Sequence, residues 1–182
     1  LLEKVILIKK DIPEVYNNLG IICLNSKNVK DSINYFDQAV KLKPKFSMAY
    51  CNLGLAYNKI GQFEKASENY LKAIESDKKN IIAYFNIGNL FKFKGDLDKA
   101  EQNFNKAIDL DSNMIMAYNN LFEIFDRSNQ FKKLENILNK AKQKFKDHPL
   151  VNFFVGIYEY KKKNYNEVIK IYEKIVLDKN DI

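Results

Sequence analysis

Residues 47–80 read SMAYCNLGLAYNKIGQFEKASENYLKAIESDKKN, and the chain repeats this pattern at a fixed interval on both sides. Tyr16, Tyr50, Tyr84 and Tyr118 lie 34 residues apart, as do Leu19, Leu53, Ile87 and Leu121, with no insertion. Within the quoted unit, apolar residues recur at i, i+3, i+4 and i+7 in both halves, as Tyr50-Leu53-Tyr57 and as Phe63-Ala66-Tyr70-Ala73, which predicts two amphipathic helices. Gly61 and Gly95 separate the halves and mark a tight turn. Pro13 and Pro149 open units, where a helix tolerates proline, and Pro44 stands where a helix should stop. No segment shows the alternation of a strand.

Units therefore begin at Pro13, Ser47, Ile81, Ile115 and Pro149, giving 13–46, 47–80, 81–114, 115–148 and 149–182. Leu2, Val5 and Ile8 take second-helix positions, so 1–12 reads as the end of a preceding, truncated unit, and 178–182 as the junction before a later one. A longer array is the expectation. One hairpin of this length cannot bury its own apolar face, but stacked hairpins can. Gly20, Gly54, Gly88 and Gly156 recur on the period, as do Ala39, Ala73, Ala107 and Ala141, beside the aromatics Phe36, Tyr70, Phe104 and Tyr172. Small residues at helix crossings let backbones approach while a ring fills the space alongside.

Tyr50, Leu53, Gly54, Tyr57, Ala66, Tyr70, Ala73 and the junction Leu42-Lys43-Pro44 resemble the signature of the tetratricopeptide repeat, over essentially the whole chain. The resemblance implies an all-α fold, a right-handed superhelical α-solenoid of antiparallel helix pairs, whose first helices line a concave groove that holds another polypeptide. Units 115–148 and 149–182 diverge. Phe122 stands at the glycine position and Leu134 and Leu138 replace the alanine and aromatic, so the helices of that unit are expected to be pushed apart and the local pitch to change. Asn152 and Glu159 take aromatic positions in the last unit, which should be the least well packed.

The groove positions implied by the resemblance carry a second pattern. The sixth position reads Asn18, Asn52, Asn86 and Asn120, then Phe154. An amide ladder can bond the backbone of an extended peptide whatever its sequence. It resembles the asparagine ladder of O-linked N-acetylglucosamine transferases; the alternative is that these amides bond water or their neighbours. Met48, Ile82, Met116 and Leu150 fall at the second position, with Cys51 and Phe85 at the fifth, an apolar strip that marks a partner or, as is favoured for the second position, covers the adjacent unit's junction. Phe85 and Phe154 are the apolar candidates for ligand contact, because other residues already fill the packing positions. Lys59, Lys92, Arg127 and Lys161 end the first helices, as a cationic rim or as partners of the helix dipole. The fifth position, Asn17, Cys51 and Phe85, has no Lys, which argues against the carboxylate clamp of chaperone-binding relatives.

Other chemistries find little support. His148 stands alone at a junction, where capping is expected rather than acid–base work. Asp109, Asp111 and Asn113 imitate a calcium loop but lack its glycine and its final Glu. No glycine run leads into a Lys-Ser or Lys-Thr pair, so no nucleotide loop is expected. Cys23 and Cys51, with one His, are too few for a closed zinc site and suit a reducing compartment. The net charge of +7 is uneven: 47–112 balances nine Lys against nine acids, whereas 129–182 carries twelve against seven. Those cations lie mainly on second helices and turns, a pattern of solvated faces rather than of a nucleic-acid groove. No window is apolar enough to cross a bilayer. The chain is therefore expected to be a cytoplasmic or nuclear protein-binding scaffold without catalytic residues, cofactor or metal. The alternative is the substrate-docking arm of a larger enzyme such as a glycosyltransferase. Self-association through exposed end units is a further expectation.

Overall fold

A computed structural model describes residues 11–177, and the second helix expected over 1–12 and the junction at 178–182 fall, nearly or wholly, outside them. Ten helices and no strand occur among the described residues: α1 Pro13–Asn25, α2 Val29–Leu42, α3 Ser47–Lys59, α4 Phe63–Ser76, α5 Ile81–Lys94, α6 Leu97–Leu110, α7 Ile115–Arg127, α8 Phe131–Lys144, α9 Pro149–Lys161 and α10 Tyr165–Leu177. They pair as α1/α2, α3/α4, α5/α6, α7/α8 and α9/α10, one hairpin to each period. The chain divides into two compact units, Leu1–Leu110 and Asp111–Ile182.

In the first unit each new first helix packs on the second helix before it and also touches the previous first helix. Leu24 and Phe36 of the first hairpin bury Leu53 and Ala56 of α3. One period on, Tyr70 and Ala66 do the same for Ile87 and Leu90 of α5. First helices therefore lie between neighbours, which is why α5 reads IIAYFNIGNLFKFK, apolar almost all round, while α4 and α6 each bury a single Ala-aromatic-Ala stripe. Hydrogen bonds secure the junctions. Asn80 caps α5 by accepting from the Ala83 amide at 2.9 Å and donates to Ser47 Oγ at 2.7 Å. The Ser47 hydroxyl in turn donates to the Ala73 carbonyl at 2.7 Å.

The glycines at the hairpin crossing are required by space. A Cβ on Gly20 would stand 2.5 Å from the Phe36 ring, one on Gly54 2.7 Å from the Tyr70 ring, and one on Gly88 2.8 Å from the Phe104 ring. Those rings are buried to within 1% of complete. In the second unit Gly156 has the same relation to Tyr172. The α7/α8 hairpin lacks the glycine. Phe122 is buried there, and the two helices approach closely over less of their length than in the glycine-bearing pairs. Its Leu134 and Leu138 are buried in place of the small residue and the aromatic. None of the described side chains of α10 is buried, in contrast to every other second helix.

The five turns inside the hairpins adopt one geometry, which the sequence marks with glycine at only two of them. Gly61 and Gly95 have φ of 73° and 81°, and Lys27, Asn129 and Lys163, at the same place in their units, have 64°, 54° and 62°. A left-handed conformation costs an L-residue other than glycine about 1 kcal/mol, somewhat less for Asn. Lys27→Gly and Lys163→Gly are each expected to raise stability by up to about 1 kcal/mol, offset in part by the greater unfolded-state freedom of glycine. Urea unfolding of the single variants checks this.

Candidate functional site

On the first helices of the first unit, positions 2, 6, 9 and 13 form one stripe at i, i+4, i+7 and i+11. It reads Glu14-Asn18-Ile21-Asn25 on α1, Met48-Asn52-Leu55-Lys59 on α3 and Ile82-Asn86-Asn89-Phe93 on α5, and all twelve residues are exposed or half-buried. Met48 is 51% exposed and Ile82 49%, while Leu150 at the same position of the last repeat is half-buried. Phe85, one residue before Asn86, is half-buried with its ring 5.8 Å from that of Phe104. Lys59 is exposed and Lys92 half-exposed at the helix ends.

The amides do not form a simple chain of sixth-position residues. Asn52 and Asn86 each lean on the fifth-position residue of the preceding repeat. Asn52 Nδ2 donates to Asn17 Oδ1 at 2.9 Å, and Asn86 Nδ2 donates to Cys51 Sγ at 3.7 Å. The expectation that the ladder bonds its neighbours thus applies to one N–H of each side chain. A carboxamide has a second N–H and a carbonyl, and the internal bond orients them. Asn17, the buried partner of Asn52, joins the site through this bond and carries no sequence signal beyond its fifth position.

Cys51, expected in the groove, is 2% exposed. Burial pushes its thiol up to about 11, against a smaller opposing effect of the Asn86 bond. Cys23 is half-buried. With thiolate the reactive form, a maleimide at neutral pH is expected to modify Cys23 in the native protein and Cys51 only after unfolding, read by mass spectrometry. The sign for stability follows: the folded state disfavours the Cys51 thiolate, so its contribution falls as pH rises from 9.0 to about 11.

In the second unit the corresponding stripe is Met116-Asn120-Glu123-Arg127 on α7. Met116 is 52% exposed and Arg127 is exposed. Two residues expected on a groove wall lie elsewhere. Asn120 is 5% exposed, and its Nδ2 donates to the Met116 carbonyl of its own helix at 3.1 Å. Phe154 is 8% exposed and stacked on Phe122, ring centroids 4.1 Å apart. The large ring at the missing-glycine position draws Phe154 into packing. Lys161, the fifth-repeat end cation, is paired with Asp126 at 2.6 Å, a structural role in this unit. His148 caps α9, its Nδ1 accepting from the Leu150 amide at 3.2 Å. Asp111 closes the turn after α6 by accepting from the Asn113 amide at 2.9 Å, in keeping with a helix end. The outer face of α10 carries Val168, Ile169, Tyr172 and Val176 around an open apolar recess.

Stacked helix hairpins with a polar-apolar stripe on their first helices define a helical-repeat interaction scaffold. Tetratricopeptide repeat profiles match residues 13–46, 35–66 and 81–114, and a TPR repeat profile matches 55–95. The chain belongs to the tetratricopeptide repeat family. No curated protein matches it significantly. Among solved structures it is similar to MamA, at 24% identity over 79% of this chain and 86% of that one, with a TM-score of 0.68. Pseudomonas aeruginosa PilF is similar at 19% identity over 91% of this chain and 75% of that one, TM-score 0.77. YrrB, described as a TPR protein with an unusual peptide-binding site, is similar at 16% identity over 96% and 90%, TM-score 0.71. At these identities the likeness shows the fold. No described helix is long and apolar enough to cross a membrane.

Proposed function

We propose that the first-helix stripe of the first unit docks an extended segment of a partner polypeptide. The observation that carries this reading is the alignment, one repeat apart, of the half-exposed Met48 and Ile82 with the half-buried amides Asn52 and Asn86, each pair on one helix face. A row of exposed apolar side chains on a repeat scaffold marks a partner surface. Carboxamides held by an internal bond present a fixed donor and acceptor to a peptide backbone, which supplies affinity without reading side chains. Asn18 and Phe85 extend the same surface, and Lys59 and Lys92 make its turn-side end cationic. Asn120, Phe154 and Arg127 are not assigned to it. The peptide-binding site that YrrB's description records supports the reading for a similar fold.

A random dodecapeptide display library panned on the protein tests it. Wild type is expected to enrich binders, and Met48→Glu/Ile82→Glu is expected to weaken them at least roughly tenfold with an unchanged circular dichroism spectrum. Binders that hold the double variant within twofold would place recognition elsewhere.

A further inference from the structure

Phe93 is 71% exposed, more than any other large apolar side chain of the described residues. Position 13 of the other units carries Asn25, Lys59, Arg127 and Lys161, so the repeat stacks without a ring there. Its neighbour Phe63 stands at a place where Phe131 and Tyr165 also carry rings, so what sets this repeat apart is the pairing of that ring with Phe93. The Phe93 ring lies 4.9 Å from that of Phe63, tilted by 46°, whereas one repeat earlier the corresponding pair is Val29 and Lys59. The two rings wall a recess of about 330 Å³ floored by the buried Leu90 and flanked by the amides of Asn58 and Asn89. The recess stands where the α5 stripe ends, beside the turns at Gly61 and Gly95.

Its surroundings are positive. The two acids nearest in sequence are neutralised, Glu64 by Lys94 at 3.0 Å and Asp96 by Lys99 at 2.7 Å. Lys59 follows the lining residue Asn58 and is exposed. A space of this size, at the lower end of ligand pockets, suits one side chain. Tilted aromatic walls favour another ring, carboxamides suit the flanking backbone, and the exposed Lys59 favours acidic neighbours.

We infer that the Phe63–Phe93 recess is an anchor subsite for an aromatic side chain carried in an acidic stretch of the docked partner. This rests on the docking reading above and gives it direction, because the anchored residue lies at the turn-side end of the stripe in the third repeat. The anchor supplies the sequence preference that the backbone-reading amides lack.

The same library decides it. Wild type is expected to enrich dodecapeptides with one Phe, Tyr or Trp among Asp and Glu. A synthetic peptide of the enriched sequence is expected to bind Phe93→Ala at least roughly tenfold more weakly, and to lose a similar factor when its own ring is changed to Ala. Lys59→Glu should weaken it further, less so at high salt. Phe93 is exposed enough that its truncation leaves the fold intact, which the thermal melt confirms or denies directly. Enriched peptides that bind Phe93→Ala within twofold of wild type yet lose Met48→Glu/Ile82→Glu would overturn the anchor and leave the docking face standing. Peptides that need Phe93 but ignore the double substitution would leave the recess as a site and remove the extended face. A wild-type dimer that Phe93→Ala dissolves would assign the recess to a second copy and overturn the peptide assignment. A library with no enrichment would overturn both.

Discussion

Gly54→Ala is expected to destabilise the protein by about 2–3 kcal/mol, as one methyl group forces a shift in a filled crossing. The added Cβ would stand 2.7 Å from two atoms of the Tyr70 ring and 3.1 Å from the Ala66 carbonyl oxygen. The ring has no room to yield, being 1% exposed between Ala66, Ala73, Ala83 and Ile87, and the carbonyl belongs to the α4 backbone. Helices α3 and α4 must therefore separate. For a chain of this length the loss corresponds to a fall of roughly 5–10 °C in Tm. Tyr70→Leu in the same protein should recover at least about 1 kcal/mol of the sum of the two single losses, because the ring is what the methyl meets. Gly61→Ala is the control: no atom lies within 4 Å of its Cβ, and only the φ of 73° penalises it.

Phe104→Ala should cost more, about 3–5 kcal/mol. The ring is fully buried beside Gly88, between Ala100 and Ala107 of its own helix, and it meets Phe85 at 5.8 Å. These small neighbours cannot move in to close the space, since their side chains are already the minimum the helix allows. In a repeat array stability is the sum of unit and nearest-neighbour contributions. The loss should therefore appear first in α5 and α6, as faster amide exchange there, before the α1/α2 hairpin responds.

Both predictions rest on residues that were legible in the sequence. Gly54 and Tyr70 stand 16 residues apart in every unit that carries the pair, and a period of 34 with a small residue facing a ring admits few folds besides stacked helix hairpins. Turn geometry was legible only where glycine signals it. Lys27 and Lys163 share the left-handed conformation of Gly61 and Gly95, but lysine is no sign of positive φ, and only the periodicity points there.

The site was less legible, for three physical reasons. Position in a repeat predicts orientation only while the neighbours keep their size, and Phe122 breaks that condition, so Phe154 is buried on its ring where Asn52 and Asn86, at the same position, are half-exposed. Hydrogen-bond partners 35 residues apart, Asn17 with Asn52 and Cys51 with Asn86, depend on how successive first helices sit beside each other, which no single unit encodes. Phe93 was obscured by the cation series Lys59, Lys92, Arg127 and Lys161. Lys92 stands one place early because Phe93 occupies its position, and that displaced register was the available signal.

Amide hydrogen exchange of the protein, free and saturated with a display-enriched peptide, tests the docking face most directly. Protection is expected on α1, α3 and α5, greatest around Met48–Asn52 and Ile82–Phe93, with α2, α4 and α6 little changed. Protection confined to second helices, or to α10, would contradict the assignment of the first-helix stripe as the surface that holds the partner.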